Sequence, residues 1–267
     1  MAVPKAEVMK KRAEYRVPAL EKGLAVLELL AASPQPLSLM EISRQLGKSS
    51  SEMFRMVDCL EKSGYLYKSP RSGTYRLTLK LYALAHAHPP IEELLRAANV
   101  PMQQLALSLG ESCHLSVLSH REVLVLVESP SPQKVRVSVE AGARLSPVFT
   151  VSGRLLLSLM PPEELESFLA SCEDFCQAGR RKQQEILRTI ADVRERGYSE
   201  APSEAHPGIL DLAVPVGDAH VGMVAALAVT RWEKSVRPLD RAVVLQAAQD
   251  CARRITEDLG LNHNQLP

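Results

Sequence analysis

The spacing of apolar residues sets the first picture. Between Pro18 and Ala32 the chain reads PALEKGLAVLELLAA, where Leu20, Leu24, Leu27 and Ala31 recur at the period of one helix face and Pro18 suits a first turn. SPQP breaks that pattern. Ser38 then precedes a shorter stripe, Leu39, Ile42 and Leu46, with Glu41 placed three residues on to complete a capping box and Gly47 placed to end the helix. A third helix is predicted to start near Ser49 or Ser50. Met53, Met56, Val57 and Leu60 fall on one face at i, i+3, i+4 and i+7, while Ser50, Ser51, Arg55 and Asp58 fall on the other, and Gly64 closes it. The period then drops to two. YLYK and TYRLT, set either side of Pro70, Ser72 and Gly73, predict a hairpin.

Past Pro89 helical and strand periods interleave. PPIEELLRAANVPMQQLALSLG predicts a helix with Ile91, Leu94, Leu95 and Leu105 on one side, followed by strand-like CHLSVLS, EVLVLVES and KVRVSVE. SGRLLLSLM predicts a short apolar helix, and two polar-faced helices follow around Pro162–Cys172 and Lys182–Gly197. LDLAVPVG and VGMVAALAV predict strands joined by a turn at Gly217–His220, and a last helix spans Leu239 to Leu259. The order predicts an α+β domain with a largely antiparallel sheet. A length of 267 residues also favours more than one domain.

Charge sharpens the division. Residues 1–88 carry 14 Lys and Arg against 8 Asp and Glu, while the remainder carries 18 against 23, so a net charge of +1 hides a basic first third and an acidic rest. Two helices joined by a tight Gly-containing turn, with a basic hairpin directly after them, match a winged helix-turn-helix. In that geometry the start of the second helix enters a major groove, and the hairpin lies along phosphates or the adjacent minor groove. The expected DNA contacts are Ser38, Ser49, Ser50, Ser51, Glu52 and Arg55 on the helices and Lys68, Arg71 and Arg76 on the hairpin, with Glu52 suited to accept from a cytosine amino group.

At this point the chain resembles the IclR family of bacterial transcriptional regulators, from about Val17 to Leu259. Its ALEKGLAVLELLAASPQPLSLMEISRQLGKSSSEMFRMVDCLEKSGYL follows the family's first-domain pattern, with Arg55 on the usual arginine and Glu52 as a departure. GARLSPVFTVSGRLLLSLM (Gly142 to Met160) and GILDLAVPVGDAHVGMVAALAVTRW (Gly208 to Trp232) follow two second-domain landmarks. The resemblance implies a flexible basic extension at 1–16, a winged helix-turn-helix domain and linker at 17–88, and a GAF-like effector-binding and oligomerisation domain at 89–267.

It also implies an effector pocket lined by Leu145, Ser146, Pro147, Val148, Ser152, Gly153 and Arg154, and by Asp211, Ala228 and Thr230 on two strands. Phe149 and Thr150 stand where the family has His-Ala, Asp211 where it has Cys, and Arg154 where it has Lys; Ala228 lacks the usual hydroxyl. A buried Asp211 needs a partner, which tilts the expected effector towards a polyol, sugar acid or amine-bearing molecule over other small organic acids.

The resulting expectation is a ligand-responsive regulator of a catabolic operon that binds a palindromic double-stranded DNA operator as a homodimer or a dimer of dimers. It would act in the bacterial cytoplasm at the nucleoid, with no membrane partner. A metabolite-processing enzyme and an effector-blind DNA-binding protein stay open as alternatives. No cofactor or metal is expected: G-x-G-x-x-G, the Walker loop, H-E-x-x-H and G-x-S-x-G are absent. The five cysteines are odd in number and scattered, which suits free thiols, and Cys172 and Cys176 form an isolated C-x3-C pair that reads as two helix thiols. His114 lies on a predicted strand and reads as a core-edge histidine.

Overall fold

The computed structural model describes residues 17–86, 89–219, 222–233 and 239–261. The extension expected over 1–16, His88 of the linker and the end of the turn expected at Gly217–His220 lie outside the described residues. The chain divides into two compact units, Met1–His88 and Pro89–Pro267.

The first unit runs α1 (Pro18–Ala32), α2 (Leu39–Gln45), α3 (Ser50–Lys62), β1 (Leu66–Lys68), β2 (Tyr75–Leu77) and α4 (Lys80–His86). Local chemistry sets the ends of α2. Ser38 and Glu41 close a full capping box at its start, and Gly47 follows its end in the left-handed region at φ 62°. Antiparallel β1 and β2 form the hairpin, and Leu37 adds a bridge to Tyr75. Val26, Leu30, Ile42, Met53, Val57, Leu66 and Tyr75 make the core, with Leu39, Leu46, Met56 and Leu60 packed around it. Each fully buried aliphatic side chain contributes about 1.5–3 kcal/mol. The inner face of α1 is therefore Val26 and Leu30, whereas Leu20 and Leu24 of the expected stripe stand 60% and 49% exposed. Helix α4 replaces what the sequence suggests is plain linker.

The second unit runs α5 (Pro89–Leu109), β3 (Ser112–Ser119), β4 (Glu122–Ser129), β5 (Arg144–Leu145), α6 (Val151–Ser158), α7 (Pro162–Ala170), α8 (Glu173–Gln177), α9 (Arg180–Arg196), β6 (Ser199–Pro202), β7 (Ile209–Asp218), β8 (Met223–Trp232) and α10 (Arg241–Asp258). Its six strands lie in the order β5-β4-β3-β8-β7-β6, and every pairing is antiparallel. Alternation along the strands sends Cys113, Leu115, Leu212, Val214, Leu227 and Val229 to one face, against α5 and α10. Ala213, Ala226 and Ala228 point to the other, against α6 and Val193 of α9. A smaller cluster joins Val148 and Leu157 to α7, α8 and α9. This is the expected α+β, GAF-like layering. No helix among the described residues is long and apolar enough to cross a membrane.

One expected strand is absent. KVRVSVE, residues 134–140, is irregular, and Val135 is 79% exposed. The outer edge of β4 is taken instead by residues 142–145: Val125 N donates to Ala143 O at 3.0 Å, Gly142 N donates to Val125 O at 2.8 Å, and β5 pairs with Val123 and Leu124. Alternation without a free edge to join does not make a strand.

Candidate functional site

Two of the expected DNA contacts spend their hydroxyls inside the protein. Ser38 Oγ accepts from Glu41 N at 3.3 Å and donates to Glu41 Oε2 at 2.7 Å. Ser49 Oγ accepts from Glu52 N at 3.4 Å and caps α3. Both hold the helix-turn-helix in shape. Ser50, Ser51 and Arg55 are exposed on the outer face of α3, opposite buried Met53 and Val57. No hydrogen bond or ion pair ties Arg55 to another described residue. Glu52 is held differently: its carboxylate pairs with Lys22 of α1, and that hydrogen bond holds it below the usual carboxylate range. The contact braces α3 against α1.

Phe54 stands beside Arg55 and is 51% exposed. Sequence reasoning passed over it, though the signal was there: an aromatic residue out of phase with the apolar stripe of its helix. Lys68, Arg71 and Arg76 are exposed on the hairpin. The Arg76 guanidinium lies 4.9 Å from the Tyr67 ring centre and the Lys68 ammonium 5.4 Å from that of Tyr75. At the tip, Gly73 takes φ 68° while Ser69 N donates to Thr74 O at 2.8 Å. A cationic arm thus follows α3 within one small unit.

The residues expected at the effector site fall in two places. Leu145, Ser146 and Pro147 line an open groove of about 600 Å³ beside the β3–β4 turn, together with His120, Arg144 and Cys172. Asp211 and Thr230 face each other across β7 and β8, and Thr230 faces Ser112 across β8 and β3, at the other end of β3. Ala228 lies two residues along on the same face, opposite Ala213 and His114. Burial pushes the Asp211 carboxyl up, while Thr230 and His206 pull it back. Burial also holds the His114 imidazole down to about 4, so it is neutral near pH 7.

Helix α6 covers these strands. Thr150 caps it by accepting from Gly153 N at 3.2 Å, and the Ser146 carbonyl accepts from Thr150 Oγ1 at 2.7 Å. A side chain at Gly153 would overlap the Pro147 carbonyl. Val148 and Ser152 are buried. Arg154 is also buried; its Nε donates to Val148 O at 2.8 Å and its guanidinium pairs with Glu204, which Lys182 also reaches at 3.1 Å. Arg154 therefore ties the loop before α6 to the loop after β6. No cluster of three metal-ligating side chains exists among the described residues, and Cys172 is buried while Cys176 is exposed.

The chain matches two family models, an IclR helix-turn-helix domain over residues 19–70 and the C-terminal domain of bacterial IclR transcriptional regulators over residues 91–257. It is 29% identical to the glycerol operon regulatory protein of Streptomyces coelicolor, across 91% of this chain and 97% of that one. It is 26% identical to the transcriptional repressor AllR of Escherichia coli, across 91% and 90%. An IclR homologue from Microbacterium hydrocarbonoxydans, solved with 4-hydroxybenzoate, superposes with a TM-score of 0.75 at 24% identity, covering 91% of this chain and 99% of that one. With both of its units matched in order, the chain belongs to the IclR family of bacterial transcriptional regulators.

Proposed function

We propose that this regulator reads a two-fold operator with Ser50, Ser51, Phe54 and Arg55 in the major groove and Lys68, Arg71 and Arg76 on the flanking phosphates. The carrying observation is that Arg55 stands exposed on α3 with no ion pair to another described residue, followed in the chain by a hairpin with three exposed cations. A free guanidinium suits bidentate pairing with guanine, and a ring such as Phe54 suits a thymine methyl. Ser49 supports α3 by capping it, and Ser38 caps α2, which packs against α3. Glu52, paired with Lys22, keeps the helix in place and is a weaker candidate for reading cytosine.

Residues 17–88 form the DNA-binding part and residues 89–267 the effector and assembly part. The exposed Leu20 and Leu24 of α1 and Leu79 and Leu84 around α4 give the first unit apolar surface for a second copy. Homodimers, singly or paired into tetramers, would set two reading helices about one DNA turn, ~34 Å, apart. The effector would lie between α6 and the sheet, against Asp211, Ala228 and Thr230 and under Ser152, Gly153 and Arg154. The relatives named for a glycerol operon and as a repressor support control of a catabolic operon, by a protein that works at the nucleoid in the cytoplasm and turns over no substrate.

The test is selection of bound duplexes from a random DNA library with the full-length protein near physiological salt. An enriched inverted repeat with half-sites one turn apart is expected. Retention of DNA without sequence preference would overturn the operator reading.

A further inference from the structure

Among the buried polar side chains of the second unit, two leave atoms without a hydrogen-bond partner on the same face of the sheet. They are His114 Nε2 and Thr230 Oγ1, on residues 5% and 3% exposed. Burial raises the Asp211 carboxyl and the Thr230 hydroxyl opposite lowers it, yet that hydroxyl makes no bond of hydrogen-bond geometry with it. Buried polar atoms are nearly always paired, because a lone one has given up its bonds to water for nothing in return. Both belong to the face that α6 covers: Thr230 alternates with Leu227 and Val229 of the opposite core, and His114 alternates with Cys113 and Leu115. Cross-strand register places Asp211 and Ser112 beside Thr230, and Ala228 and Glu128 beside His114. Ala213 and Ala228 keep the middle of this row low.

The charges near this row select against an anion. Asp211 and Glu128 are both carboxylates. The buried cation under α6, Arg154, is already held by Val148 O and Glu204, and Lys182 is shared between Glu204 and Glu185. Among the described residues, His206 lies near Asp211, but a small carboxylate would find no free guanidinium or ammonium there. An ammonium group would be drawn to Asp211, but it only donates hydrogen bonds and so satisfies His114 Nε2 in one tautomer alone, whereas a hydroxyl both donates and accepts; Glu128 already accepts from Ser138. A ligand hydroxyl satisfies His114 in either tautomer and Thr230 in either rotation.

We infer that this row takes a neutral polyhydroxylated molecule, a small polyol, with His114 Nε2 and Thr230 Oγ1 among its hydrogen-bond partners. The inference rests on reading the α6-covered face as the effector site, and it adds His114 and the ligand's chemical class.

Calorimetric titration of the full-length protein with glycerol and xylitol, with glyoxylate and 4-hydroxybenzoate, and with ethanolamine tests it. A polyol is expected to bind, Thr230→Val and His114→Leu each to weaken it at least tenfold, and Thr230→Ser to restore it. Urea unfolding of each variant separates lost binding from a lost fold. A second, milder change, His114→Asn, covers a failure of His114→Leu to fold and is also expected to weaken binding. Binding of a carboxylate or of ethanolamine but of no polyol would overturn the ligand class while leaving the effector site standing. Polyol binding unaffected by both Thr230→Val and His114→Asn would overturn the placement. Binding of none of these molecules by protein that still holds its operator would overturn both the inference and the effector reading beneath it.

Discussion

Arg55 and Arg71 carry the same charge into different surroundings. Arg55 sits on the outer face of α3 between Ser51 and Asp58, while Arg71 sits in the hairpin turn among Pro70, Ser72 and Gly73. In the proposed docking, a side chain on α3 meets base edges and one on the hairpin meets phosphates. Arg55→Ala is expected to cost about 1–3 kcal/mol on the selected operator and to relax preference at one base pair. Arg71→Ala is expected to weaken all duplexes alike and to lower the slope of log affinity against log salt by about one. Fluorescence anisotropy across a salt series, on operator and scrambled duplexes, separates the two; equal loss on both duplexes for Arg55→Ala would remove it from base reading. Arg55 was readable from the sequence because helical period alone sets which face it takes. The fate of Glu52 was not. Its partner Lys22 lies 30 residues away on another helix, and no local period reports such a contact. The same holds for Arg154, whose place in the family pattern suggests a ligand contact but whose guanidinium is bound to Glu204 on a loop 50 residues on.

Elements with their own stop and start chemistry were readable in outline. Helices α2 and α3 begin at Ser38 and Ser49 and close with Gly47 and Gly64 at φ 62° and 78°, because caps and left-handed glycines act within a few residues. Elements defined by their neighbours were not. Strands β5 and β6 are 2 and 4 residues long and exist because an edge was available to them, while 134–140 alternates well and found none. Helix α6 joins both cases. Its apolar run marks it as buried, yet nothing in SGRLLLSLM shows why the third residue of α6 is Gly153. The reason is the Pro147 carbonyl, against which any Cβ would collide. Gly153→Ala must push the loop before α6 off the helix, and overpacking of this kind costs about 1–3 kcal/mol. Lower urea midpoints are expected with operator affinity of the remaining folded protein unchanged, since Gly153 belongs to the second unit. A midpoint equal to that of the parent protein would show that the loop yields freely and does not fix the roof of the proposed effector site.

At the scale of the whole molecule, the basic first unit and the acidic second unit divide the work, and only their coupling makes a regulator. A ligand moves an equilibrium no further than its preference for one state over the other. If an effector changes operator affinity by some factor, the operator must change effector affinity by the same factor, because both measure one coupling free energy, commonly about 1–3 kcal/mol or 5–150-fold. This reciprocity gives a test that needs no knowledge of the conformational change. The affinity of the full-length protein for its ligand is measured by calorimetry with and without saturating operator, and operator affinity is measured by anisotropy with and without saturating ligand. Matching factors in the same direction are expected. A factor of one in both experiments, with ligand bound, would mean that the site on the α6-covered face is occupied without being heard at α3. The protein would then bind DNA and ligand as two independent activities on one chain. Thr230→Val sharpens the comparison. A variant that loses ligand affinity should keep its ligand-free operator affinity, and its operator should stop responding at ligand concentrations that switch the parent protein. Loss of operator affinity in the absence of ligand would instead show that Thr230 helps set the resting state of the molecule, and that its hydroxyl is part of the switch as well as of the site.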